Sequence, residues 1–190
     1  MVLPVSSLDE VFGARAAIVV PDVIGAAGAA DVRARLERGG FRRYALVDRG
    51  SYAWTDDVDE PALVAELATI AGEVTGVAPD VAPDVGSVVA IRLGPGDYVL
   101  AHHDPCARAR AGAADRLVEL VLDVSATATA GAEVHYRRHG QLFHRVPSQP
   151  GALSVVERDA GITSHHTYVT KRNTTAGVTR LVVRLRLRSP

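Results

Sequence analysis

The stretch IRLGPGDYVLAHHD, residues 91–104, decides how this chain is read. Gly94-Pro95-Gly96-Asp97 is turn chemistry, and it separates two runs rich in aliphatic residues. Residues 87–93 and 98–104 therefore read as strands joined by a tight turn. Side chains alternate between the two faces of a strand, so His102 and Asp104 share a face and His103 takes the other. One more ligand from a neighbouring strand would complete two histidines and a carboxylate on one side of a metal ion. That donor set suits non-haem Fe(II), because it leaves coordination positions open for substrates and dioxygen.

Further strands read at 116–125, 133–138, 141–146, 152–157, 162–170 and 179–188. Short strands in succession, with no helical pattern between them, point to a sandwich or jelly roll. A second histidine pair, His165-His166, lies on the 162–170 strand, and alternation lets only one of the two point inward. On the last strand Leu181, Val183, Leu185 and Leu187 share one face, and Arg180, Arg184, Arg186 and Arg188 share the other. A planar guanidinium meets a carboxylate through two parallel hydrogen bonds and keeps its charge, so this face is a candidate anion holder.

Upstream, residues 27–38 read as a helix with Val32 and Leu36 one turn apart, stopped at Gly39-Gly40. Residues 41–54 read as one or two strands broken at Arg49-Gly50. Residues 61–76 read as the best helix, with Pro61 in first position, Val64, Leu67, Ala71 and Val74 on one face, and Gly76 at its end. Residues 77–86 read as a proline-broken loop. The expected organisation is one domain over 1–190, with residues 1–86 as a helix/strand support region and 87–188 as the jelly-roll core. Tyr52 and Trp54 read as core packing. His135, His139 and His144 read as exposed or half-buried strand residues, and Cys106 as a small apolar residue.

The chain has 190 residues, a net charge of −1, 47% apolar residues and one cysteine. That balance suits a soluble globular chain. It offers no large basic field for nucleic acid and no intrachain disulfide. No apolar run approaches the roughly 20 residues of a membrane span, and no secretory leader is evident. One lysine against 20 arginines reads as codon bias rather than as a binding surface. A cytoplasmic protein without nucleic-acid or membrane partners is expected, and homodimer formation is left open.

Several segments, in order, resemble the 2-oxoglutarate/Fe(II)-dependent oxygenases of the prolyl-hydroxylase type. IRLGPGDYVLAHHD (91–104) resembles the glycine-rich turn and strand that lead into that family's H-x-D metal motif. RLVELVLDVS (116–125), GAEV (131–134), QPGALSVVE (149–157), HHTYVT (165–170) and TRLVVRLRL (179–187) resemble its later strands. The resemblance implies a double-stranded β-helix (jelly roll, cupin-like) with N-terminal helices packed on the major sheet. It implies Fe(II) ligation by His102, Asp104 and a distal histidine. Ser164-His165-His166 resembles the family's distal segment, which favours His166 over His165. Arg180 would anchor the co-substrate 2-oxoglutarate, O2 would be the oxidant, and a small molecule such as an amino acid or natural-product intermediate would be hydroxylated. Related halogenases carry a small residue where this chain has Asp104, so hydroxylation is the expected chemistry. The sequence departs from the family pattern at Val182, Leu93 and Asp123, where a serine and two tyrosines are common. A cupin-like metalloenzyme that does not use 2-oxoglutarate and an inactive jelly-roll binding module are the alternatives.

Overall fold

The computed structural model describes residues 7–77, 79–80, 88–103, 115–171 and 177–188. The first part of the chain carries α1 (Leu8–Arg15), β1 (Ala17–Val20), α2 (Gly25–Gly39), β2 (Arg42–Leu46), β3 (Gly50–Thr55) and α3 (Pro61–Thr75). Then follow β4 (Pro79–Asp80), β5 (Val88–Leu93), β6 (Tyr98–His103), β7 (Asp115–Asp123) and β8 (Val134–Arg138). The last elements are β9 (Gln141–Val146), β10 (Leu153–Arg158), β11 (Ile162–His166) and β12 (Val178–Arg188).

The strands pair antiparallel in the order β1-β10-β7-β12-β5-β3-β6-β11-β8-β9, with β2 beside β3 and β4 beside β12. The sheet rolls over on itself. Inward residues of β7 and β10, Val121 and Val156, pack against Val134, Tyr136, Val146 and Ile162 of β8, β9 and β11. This nearly closed antiparallel roll is the expected jelly roll, the double-stranded β-helix.

The outer face of β7, β10 and β12 carries the helices. Along these strands every second residue is buried there: Val118, Leu120 and Leu122, then Leu153 and Val155, then Leu181, Val183 and Leu185. The period of two gives β12 its apolar face and leaves its arginines on the other. On α3 the matching stripe is Leu63, Val64, Leu67, Ala71 and Val74, with Val32 and Leu36 from α2 and Phe12 from α1. Each fully buried Leu or Val side chain contributes roughly 1.5–3 kcal/mol. Pro61 lies in the first turn of α3, where its missing N–H costs nothing, and Gly76 ends the helix in a left-handed conformation at φ 67°.

Three features differ from the sequence expectation. Pro79–Asp80, inside the expected 77–86 loop, pairs with Arg186 and Leu187 of β12; a two-residue strand on an edge tolerates proline. α1 and β1 were not foreseen, and β1 pairs with Leu153–Val156 of β10. β3 lies along both β5 and β6, with Trp54 opposite Ile91 and Gly50 opposite Val99. The first 86 residues thus supply wall strands of the roll as well as its helices.

β6 carries a bulge. Ser164 of β11 stands opposite His102, while His166, two residues on, stands opposite Val99, three residues back. The extra residue in β6 breaks the strict alternation, and both Val99 and His102 line the interior. No described helix is long and apolar enough to cross a membrane.

Candidate metal centre

Inside the roll lies a cavity of about 80 Å³. Ile91, Val99, Val121, Val134 and Val182 give it apolar walls. Its polar lining includes His102, His166, Ser164, Glu119, Tyr136 and Arg184. β6 and β11, hydrogen-bonded neighbours, bring His102 and His166 to this one space across the bulge.

The ring of His102 is held through Nδ1, which lies 3.0 Å from the carbonyl oxygen of Leu100. A carbonyl only accepts, so Nδ1 carries the proton and the Nε2 lone pair is left for a ligand. His166 is buried, and its Nδ1 lies 3.3 Å from Nη1 of Arg180. A guanidinium only donates, so this contact uses the Nδ1 lone pair. Burial pushes the His166 pKa well below the ordinary value, and the charge of Arg180 beside it pushes the same way. The imidazole is therefore neutral with its proton on Nε2, and to take a metal it would have to give up the Arg180 contact so that one ring nitrogen offers a free lone pair.

His165 points to the opposite face. It stands beside His135, ring centroids 4.9 Å apart and nearly perpendicular, and it lines a shallow outer groove with Tyr98, Leu100 and Arg137. His135 in turn lies 2.7 Å from Glu133 through Nε2. Asp104, the expected carboxylate, and Cys106 lie outside the described residues, as does the side chain of His103. Among the described residues no group of three His, Cys, Asp or Glu side chains is arranged to hold a metal.

Arg180 is fully buried, and among the described residues its Nε and Nη2 have no hydrogen-bond partner. Burial lowers its pKa, with Asp123 acting in the opposite direction. Asp123 faces Arg180 across β7 and β12. Its carboxylate, however, accepts from the amides of Ser125 and Gln149, at 2.9 and 2.8 Å. A buried guanidinium with two unanswered nitrogens is costly unless an anion completes it. These donors fit a carboxylate, and the imidazoles of His102 and His166 are ligand types for a divalent metal.

Glu119, Tyr136 and Arg184 of the same cavity belong to a charge network that sequence reading did not single out. Tyr136 donates to Oε1 of Glu119 at 2.6 Å, and Nε of Arg184 donates to Oε2 at 3.0 Å. Arg158, itself buried, places its guanidinium 5.3 Å from the Tyr136 ring centroid. Burial alone would raise the Glu119 pKa. The charges of Arg158 and Arg184, with the Tyr136 hydroxyl, override it and bring the pKa down to about 2. The available signal was a single charge inside the apolar run LVELVL, residues 117–122. A charge in such a strand is rarely buried without a partner. Tyr52 packs against the cluster of Leu93, Val99 and Val178, as expected, and it also lines the cavity.

The rolled antiparallel sheet, with helices on one outer face, is the fold of the 2-oxoglutarate/Fe(II) oxygenases. The chain is similar to a prolyl-4-hydroxylase from Pseudomonas putida, at 14% identity and a TM-score of 0.63, covering 96% of this chain and 97% of that one. It is similar to an oxidoreductase of the 2OG-Fe(II) oxygenase family from Burkholderia pseudomallei, at 13% identity, TM-score 0.67 and coverages of 96% and 90%. It is also similar to a non-haem α-ketoglutarate-dependent epimerase of nogalamycin biosynthesis, at 15% identity, TM-score 0.64 and coverages of 94% and 81%. At these identities the likeness is one of fold. No family model and no curated protein matches the sequence.

Proposed function

We propose that this protein is an Fe(II)- and 2-oxoglutarate-dependent oxygenase that hydroxylates a C–H bond of a small molecule in the cytoplasm. The observation that carries the reading is Arg180, a buried guanidinium in contact with His166, two of whose nitrogens meet no partner among the described residues. In this reading His102 and His166 hold iron with Asp104, and Arg180 anchors the distal carboxylate of the keto acid. When bound, iron with 2-oxoglutarate and dioxygen supplies the oxidation of the substrate, releasing succinate and carbon dioxide. The chain's own part is to orient and to exclude. Leu100 fixes the tautomer of His102, burial keeps His166 neutral, and the valines and Ile91 keep the cavity walls apolar.

The test is anaerobic addition of Fe(II) and then 2-oxoglutarate, followed by visible absorption. A weak metal-to-keto-acid charge-transfer band is expected, lost in His166→Ala and Asp104→Ala but kept in His165→Ala. Arg180→Lys should weaken the keto acid by roughly 10- to 100-fold, the worth of a bidentate charged pair. Tight metal binding without the band would favour a cupin-like metalloenzyme. No metal binding would leave a jelly-roll binding module.

A further inference from the structure

The inner face of β3 does not stop at the cavity. Tyr52 lines the cavity, and β2 extends the same face outward beside β3. Register sets Tyr44 directly opposite Tyr52, Arg42 opposite Trp54, and Trp54 opposite the cavity residue Ile91. Tyr44 stacks on Tyr52 with centroids 5.9 Å apart and planes 16° apart, and it tilts against Trp54 at 5.8 Å and 50°. The guanidinium of Arg42 lies 4.8 Å from the centroid of Trp54, and its charge is met by Asp56. All three rings are half-exposed, on and beside an edge strand whose other residues are exposed. Large aromatic side chains give most when fully buried, so a contiguous half-exposed run beside a cavity is better suited to a ligand than to a core.

We propose that Tyr44, Tyr52 and Trp54 form a shelf that receives the aromatic ring of a small-molecule substrate at the cavity. This rests on reading the cavity as an oxygenase centre. Two features select an aromatic ring as the occupant. The rings already stand at the spacing and tilt of an aromatic cluster, so another ring joins as its next member. The cation beside them is already paired, and Ile91 and Val99 stand with Tyr52 in the cavity lining, so stacking and apolar contact receive the ring.

Trp54 is the one tryptophan of the chain, so its emission reports directly on the shelf. The protein, with no iron or keto acid added, is titrated with 4-nitrobenzyl alcohol, a neutral nitroarene. A parallel titration uses nitromethane, which carries the quenching group without a ring. The nitroarene should quench saturably and nitromethane only in linear proportion to its concentration. Tyr44→Ala should weaken the nitroarene roughly 2- to 10-fold, the worth of one stacked pair, and Tyr44→Phe should bind as the wild type does. Tyr44→Leu, which keeps apolar bulk without a ring, should weaken it likewise and serves if the alanine variant fails to fold. Linear quenching by both compounds, or equal saturable quenching in the wild type and the ring-less variants, overturns the proposal. The titration needs no metal, so its failure leaves the oxygenase reading standing. Absence of the charge-transfer band, conversely, leaves the ring-binding shelf standing and removes only the oxygenase role of what it binds.

Discussion

Replacing Glu119 with glutamine should cost stability in a way that depends on pH. The Glu119 carboxylate is buried between Tyr136 and Arg184, and its pKa stands at about 2 rather than the ordinary 4.5. A depressed carboxylate pKa means that the folded state binds the charged form better than the unfolded state does. The stabilisation is therefore present above the unfolded value near 4.5 and is lost as pH falls towards 2. At roughly 1.4 kcal/mol per pKa unit, the difference is worth about 3 kcal/mol at neutral pH. The same relation leaves about 1.5 kcal/mol at pH 3 and under about 0.5 kcal/mol near pH 2. Urea unfolding of the wild type and Glu119→Gln, followed by circular dichroism from pH 7 to pH 3, measures the gap. The gap should be about 3 kcal/mol or more at pH 7, because the variant also leaves Arg184 and Arg158 without their anion. It should shrink by roughly half that amount by pH 3. A gap that stays constant across the range would refute the view that a charged, paired carboxylate sits inside the roll.

Other perturbations have equally direct outcomes. Leu67→Ala removes a fully buried side chain from α3 and should cost about 3–5 kcal/mol in urea unfolding, while leaving quenching of Trp54 by the nitroarene unchanged. Gly50→Ala asks for a side chain at φ +115°, with its Cβ 2.3 Å from the backbone oxygen of Tyr98. Thermal melting should show a loss of at least about 2 kcal/mol. Asp97 accepts from Arg43, from Ser51 and from the Gly94 amide at 2.8 Å, which ties the turn before β6 to the β2–β3 hairpin. Asp97→Asn should let the amides of Gly94 and Asp97 exchange with solvent roughly tenfold faster, as expected when a charged acceptor is lost.

Much of this fold was legible in the sequence because most strands have one apolar face. β12 is the clearest instance: Leu181, Val183 and Leu185 go to the helices, while Arg180, Val182 and Arg184 turn inward. α3 was equally legible through its Pro61 start, its Gly76 stop and its stripe of apolar residues. α1 was not, because Phe12 is its one buried residue and no apolar stripe marks it. The signal that was there is Ser7-x-x-Glu10, where the Ser7 amide donates to the Glu10 carboxylate at 3.2 Å. β1 is four residues long and pairs with residues far along the chain, which local pattern cannot reveal. At the site, alternation separates His165 from His166 but gives no sign of the bulge that places Val99 and His102 together. The charged interior escaped because its members, Glu119, Tyr136, Arg158 and Arg184, lie on four strands and meet only when the sheet rolls.

β12 lies between β7 and β5 and also pairs with β4, yet it follows all three in the chain. A ribosome therefore finishes it after its neighbours. Until then β5 and β7 each present an unsatisfied strand edge, the condition that invites aggregation. The keystone is laid last, and with it come Arg180 and Arg184. Tyr44, Tyr52, Trp54 and both cavity histidines are already synthesised by that time, but the buried Arg180 guanidinium arrives with the strand that closes the sheet. Assembly of the roll and completion of its cavity are thus a single late event, and such long-range closure makes for slow folding.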